Sequence, residues 1–279
     1  MMQFFSLQLG SRVVQDKLPA DFFYLHQDHY ILVNPVQPEP GYKYLYTDSA
    51  TSCIIAVAEG YNQAGQASML FTHLSYPYIF NLFLNLIGRN FAGGVDIYAR
   101  GANPPHNEAA AVNCAYFKEL LNSFRQKQKA LKPDTATRPF FIAHTHLELG
   151  KGDPGRNNRS CLGIDRQARC ITDQAFLLSH EQREKTGNIS TLFTLFSSTL
   201  KKAYKSMYSL WDARLPYPPA LVRELVAAAS VYDWQQILFL PDKAILEYFS
   251  TTPQYEPPWF IESIRRLAAW LLQNTQNYS

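Results

Sequence analysis

Short apolar runs alternate along this chain with longer stretches of helical spacing. Residues 22–33, FFYLHQDHYILV, read as strand, and the proline-rich NPVQPEPG after them reads as a turn. CIIAVAE (53–59) and QASMLFTH (66–73) are apolar enough for buried strands, and GYNQAG between them predicts a hairpin loop with two glycines. Period-two alternation puts Cys53, Ile55 and Val57 on one face of the first strand, and Met69, Phe71 and His73 on one face of the second. The register that decides whether those faces coincide is not written in the sequence.

A helix is predicted from Pro77 (YIFNLFLNLIGRN), a short strand at VDIYARG, and a long helix from Pro104–Pro105 to about Leu131. On that helix Ala110, Cys114, Phe117, Leu121 and Phe124 recur at three- and four-residue steps. RPFFIAHTHLEL (138–149) reads as strand, GKGDPGRNNRS as a turn-rich loop, and CLGI with ARCITDQ as a hairpin about Asp165–Arg166. Residues 181–210 read as helical, a proline-rich break covers 215–219, and helices follow near 219–230 and after the prolines of EPP at 256–258. Hairpins grouped apart from helices argue for α+β over a doubly wound sheet. The expectation is one domain over residues 1–279, with a family-variable helical insertion at 181–215 and a single candidate break around 175–190.

Composition narrows the class. The chain of 279 residues is 47% hydrophobic and 18% charged, with a net charge of +3 spread along its length. No Lys/Arg block marks a nucleic-acid footprint, and KKAYK at 201–205 is too short to count as one. Cys53, Cys114, Cys161 and Cys170 form no CxxC pair, so a reducing compartment is expected. No signal peptide is read at the N-terminus, and the apolar run at 77–87 is short and holds Asn81 and Asn85. The expectation is therefore a cytoplasmic monomer with no membrane or nucleic-acid partner; a translocated effector is the alternative. The glycines form neither GxGxxG nor a P-loop, so no nucleotide cofactor is expected. His144, His146 and Glu148 share one strand face, as zinc ligands would, but polar residues on a half-exposed strand are the plainer reading, and no metal is expected.

The chemistry concentrates at Cys53 and His73. A thiol needs a nearby imidazole to become a nucleophile at neutral pH. By spacing alone, a buried small residue and a strand-end histidine is the commoner arrangement.

A resemblance changes that balance. TDSATSC, with FTHL twenty residues on, is similar to the ATTC…LTH pattern of the protein N-terminal asparagine amidohydrolase family. VDIYARGAN, followed by a helix ending ELLNSF, resembles that family's strand, glycine turn and helix. LEYFSTTPQYEPPWFIESIRR resembles its STSP, EPP and basic-helix segment most closely. The three motifs agree in order across the chain, while 150–160 and 180–215 do not match clearly. LSYPY after His73 replaces the family's short Asp–Gly turn and so alters the rim of the site.

The resemblance implies an α-β-β sandwich-like fold of mixed or antiparallel sheets with helices packed on them. It is shared with chemoreceptor glutamine deamidases and cytotoxic-necrotising-factor-type toxin domains, and it implies no cofactor. It implies Cys53 as nucleophile, His73 as proton shuttle and Thr47 as the hydroxyl residue preceding the cysteine. Peptide N–H groups at Thr51, Ser52 and Cys53 would bind the oxyanion, and Asp48 or Glu148 would receive a substrate α-ammonium. The implied substrate is a peptide or protein with N-terminal asparagine, whose aspartate product would feed an N-degron pathway. The alternatives are a deamidase, or transglutaminase-like enzyme, acting on an internal Gln or Asn of a partner docked on LSYPY and 181–215, and a non-catalytic interaction protein that keeps the fold.

Overall fold

The computed structural model describes residues 8–9, 19–34, 42–130, 140–152, 160–204 and 210–278. The chain divides into two compact units, Met1–Phe176 and Leu177–Ser279, and the division falls inside the 175–190 window. Most of the 34–41 turn and of the 150–160 loop lies outside the described residues.

The first unit holds two sheets. The smaller joins β1 (Gln8–Leu9), β10 (Cys170–Thr172), β9 (Leu162–Asp165), β4 (Tyr44–Thr47) and β2 (Phe22–Tyr24), in that order. In the larger, β3 (His29–Val33), β6 (Ala67–Leu74), β5 (Ile54–Tyr61), β7 (Ala92–Gly101) and β8 (Phe140–Leu149) lie side by side. The expected hairpin is β5–β6, and both of its strands are almost wholly buried. They are central and covered on both faces, which is why they read as continuous apolar runs.

Helices α1 (Pro77–Asn90) and α2 (Glu108–Ala130) cover one face of the larger sheet. Phe80 and Phe83 of α1 meet Phe117 of α2 at ring-centroid distances of 5.3 and 6.1 Å. Phe124 stacks on Phe140 of β8 at 4.9 Å, and Arg125 bonds Thr145 and the Ala143 carbonyl. The opposite face meets β4 of the smaller sheet through Thr47. The fold is thus α+β with mixed sheets, layered helix, sheet, sheet.

One sequence reading changes. Residues 22–33 are two strands, not one. Asp28 adopts φ 60°, the chain turns there, and β2 and β3 belong to different sheets. The expected hairpin about Asp165–Arg166 is β9–β10, whose register sets Cys170 opposite Asp165. All four cysteines are free, and Cys114 is half-buried.

The second unit is helical almost throughout: α3 (His180–Arg183), α4 (Ile189–Tyr204), α5 (Pro219–Ala229), α6 (Trp234–Phe239), α7 (Asp242–Phe249) and α8 (Pro258–Tyr278). Its core packs Phe193, Phe196, Leu225, Trp234, Ile245 and Leu267. Ser179 and Gln182 form a capping box on α3, and Asp233 caps α6 through Gln236 N. These helices continue past the 181–215 expected for an insertion. Glu256 lies two residues before α8, as the EPP reading expects. It accepts from Ser250 Oγ at 2.6 Å, and burial pushes its carboxyl up to about 7 against those hydroxyl bonds. Among the described residues, no helix is long and apolar enough to cross a membrane.

Candidate active site

Strand register builds the site. His29, His73, Ile55, Arg100 and Glu148 are successive partners across β3, β6, β5, β7 and β8, so they share one face of the larger sheet. Cys53 precedes Ile55 by two residues at the entry to β5. Cys53 itself lies in the bend that leads into β5, and Ile55, two residues on, is the cross-strand partner of His73. The faces left open by the sequence do coincide.

Thr47 ends β4 opposite His73. Its hydroxyl donates to the Leu25 carbonyl at 2.7 Å, and its oxygen lies 2.8 Å from His73 Nδ1. A hydroxyl carries one proton and a carbonyl can only accept, so Nδ1 must be the N–H that donates to Thr47. The lone pair is then on Nε2, which is buried and has no hydrogen-bond partner. Burial, aided by the nearby His26, pushes the His73 imidazole down to about 3, so it is neutral at physiological pH.

The turn carrying Cys53 is clamped by its carbonyls. Thr51 O accepts from Asn103 N at 2.7 Å, Ser52 O from Asn113 Nδ2 at 2.8 Å, and Cys53 O from Ala102 N at 2.7 Å. Asn113 also donates to Ser75 O, tying the ends of β5 and β6 to α2. Gly101 allows the close approach: a Cβ there would lie 2.2 Å from Cys53 O, and its φ of +118° suits glycine alone. Asn103 is fully buried. Its Oδ1 accepts from Gly152 N at 3.2 Å, which leaves Nδ2 as a donor without an acceptor.

The thiol donates to Gln27 Oε1 at 3.4 Å, and Cys53 is 6% exposed. Asp28 follows Gln27, its N–H bonded to the His73 carbonyl at 2.7 Å. Its carboxylate accepts from Ser75 N at 3.0 Å and Ser75 Oγ at 2.6 Å. Burial raises Asp28 to about 7 although the Ser75 and Gln27 hydrogen bonds pull the other way.

The remaining predicted residues fall as follows. Ser52 is buried and contributes the carbonyl just described. Asp48 is buried beside Thr47 and accepts from Tyr24 OH at 2.9 Å. Glu148 lies two strands from β5, about 10 Å away at ordinary strand spacing. Arg100 holds its carboxylate through Nε at 2.9 Å and Nη2 at 2.6 Å. Burial raises the Glu148 carboxyl, but the Arg100 hydrogen bond and charge outweigh it and hold the group below the usual range. His144 bonds Asp96 at 2.8 Å, and His146 stacks on Tyr98. Among the described residues, no group of three His, Cys, Asp or Glu side chains is placed to hold a metal ion.

Gln27, Asp28, Asn103 and Asn113 were missed by sequence reasoning. Asn113 alone carried a signal, since it is a polar residue on the apolar stripe of α2. No family model matches this chain, and no curated protein matches its sequence.

Proposed function

We propose that this chain is a cysteine-dependent amidohydrolase that converts an N-terminal asparagine to aspartate and releases ammonia. The observation that carries the reading is the Leu25–Thr47–His73 chain. It fixes His73 as the Nδ1–H tautomer and leaves Nε2 as a base without a partner among the described residues, on the strand paired with β5, which Cys53 immediately precedes.

In the first half-reaction the Cys53 proton passes to His73 Nε2 as sulfur bonds to the amide carbon. The C–N bond then breaks, and the imidazolium returns the proton to the leaving nitrogen, which departs as ammonia. In the second, water adds to the thioester and gives a proton to Nε2. The C–S bond breaks, sulfur regains that proton, and the acid is released. A histidine held at about 3 is a poor standing base but a strong acid once protonated. Proton transfer thus accompanies attack, and the leaving nitrogen is protonated readily. The Asn103 amide and the peptide N–H groups of the 51–53 turn would be the donors to the oxyanion.

Two features favour a chain end over an internal residue. A thiol 6% exposed suits a slender terminus better than a folded loop. The second is a buried carboxylate next to Thr47: Asp48, which accepts from Tyr24 OH, would receive the α-ammonium. A peptide with free N-terminal asparagine should gain about 1 Da on incubation, as amide becomes acid. The N-acetylated peptide should stay unchanged. Equal conversion of both would refute terminal recognition.

A further inference from the structure

The β5–β6 ladder stops one rung short of the nucleophile. Its last pair is Ile54 with Leu74, so Cys53 and Ser75 come next in register, and Cys53 lies in the bend that leads into β5. A side chain from α2 takes the place of the next rung. Asn113 Nδ2 donates to Ser52 O at 2.8 Å and to Ser75 O at 2.8 Å. A carbonyl only accepts, so both protons of the amide nitrogen are used and its orientation is fixed. The residue is buried, where such bonds are not exchanged for water.

Each end of that bridge leads to one of the reacting groups. Ser52 O belongs to the peptide plane that also holds Cys53 N. The plane on the other side of the Cys53 Cα is held through its own carbonyl, by Ala102 N at 2.7 Å. With both planes fixed, the Cys53 Cβ has one direction. On the neighbouring strand, Ser75 follows His73 by two residues. Ser75 N donates to Asp28 Oδ1 at 3.0 Å, and Asp28 N donates to His73 O at 2.7 Å. The backbone of the base is thus tied to the same amide.

We infer that Asn113 is a positioning residue of this site: its amide sets the Cys53 peptide against the strand end that carries His73, and turnover depends on that spacing. This rests on the cysteine amidohydrolase reading above. Asn113 acts through the backbone of the reacting residues, so its loss lowers kcat and leaves KM nearly unchanged. A displacement of about 1 Å at the reacting atoms costs about 10²-fold. Asn113→Asp keeps the size of the side chain and, ionised, donates to neither carbonyl; Asn113→Ala removes both donors without adding a charge.

The test pairs turnover of an N-terminal asparagine peptide with a chemical ruler that needs no substrate. 1,3-Dibromoacetone alkylates a thiol and then a neighbouring imidazole, and peptide mapping separates a Cys53–His73 bridge from alkylation of Cys53 alone. Wild type should form the bridge. Asn113→Asp and Asn113→Ala should stop at alkylated Cys53 and lose about 10²-fold in kcat. Phe117→Leu trims a fully buried ring on the same helix and controls for lost stability; it should keep both the bridge and kcat. Near-ultraviolet circular dichroism checks that each variant is folded, and if Asn113→Asp is not, Asn113→Ala carries the comparison. A folded Asn113 variant that keeps either the bridge or the wild-type kcat overturns the inference, and so does a Phe117→Leu variant that loses both. A wild type that bridges but releases no ammonia overturns the amidohydrolase reading, while the bridge in the variants still decides the spacing. A wild type that does neither overturns both.

Discussion

Replacing Thr47 by valine keeps the shape of the side chain and removes its hydroxyl. Two buried groups then lose a partner, the Leu25 carbonyl at 2.7 Å and His73 Nδ1 at 2.8 Å. Each unsatisfied group costs about 1–3 kcal/mol, so the pair should cost about 2–6 kcal/mol. Thr47→Ser keeps the hydroxyl and loses one buried methyl, for about 1 kcal/mol. Urea unfolding should therefore rank wild type above serine above valine, with about 2 kcal/mol between the variants. In the valine variant nothing holds the proton on Nδ1, so the base on Nε2 is no longer guaranteed. Turnover of an N-terminal asparagine peptide should fall about 10²–10⁴-fold, the usual share of a positioned general base, while serine keeps most of it. Nitrogen-15 shifts of the His73 ring read the tautomer directly. A wild-type ring protonated on Nε2, or a valine variant as stable as the serine one, would refute the reasoning.

Gly101→Ala places a Cβ 2.2 Å from Cys53 O at φ +118°. It should cost about 2–6 kcal/mol and displace the nucleophile. Gly65→Ala, at φ +74° with nothing within 4 Å, should cost only about 1 kcal/mol by the same thermal or urea assay; equal costs would contradict the clamp. The pH dependence of stability has a definite sign. His73 is depressed from 6.5 to about 3, so its contribution is present above 6.5 and lost as pH falls toward 3. Asp28 is raised from 3.8 to about 7, so its contribution is full below 3.8 and lost as pH rises through 7. The two slopes oppose one another in between. Asp28→Asn removes the second, so the stability of the variant relative to wild type should rise with pH across that window, by up to about 1.4 kcal/mol per unit. A flat or falling difference in urea titrations from pH 4 to 7 would show that Asp28 is not the group.

The residues that carry the proposed chemistry were visible in the sequence for a physical reason. Cys53 and His73 sit at the ends of two strong apolar runs, and runs that apolar lie in the sheet centre, where register is tightly specified. The register itself, Ile55 opposite His73, depends on the turn and the covering layers, and no local pattern records it. FFYLHQDHYILV misled because its polar centre looks like an ordinary strand. Only the positive φ of Asp28 reveals that the chain changes sheets there and brings Gln27 onto the thiol. The α6 and α7 helices are too short for a periodic signal, and their stability comes from packing on Trp234 and Ile245. The cation that holds Glu148 has no local signal, because Arg100 lies 48 residues away in sequence and beside it in the sheet.

The most direct measurement is ammonia release from a peptide with N-terminal asparagine by wild-type protein, Cys53→Ala and Cys114→Ala. Cys53, at the entry to the strand paired with that of His73, should be indispensable. Cys114, half-buried on α2, should be replaceable with little loss. Activity abolished by Cys53→Ala and retained by Cys114→Ala is the predicted result, and ammonia released by Cys53→Ala at the wild-type rate would contradict it.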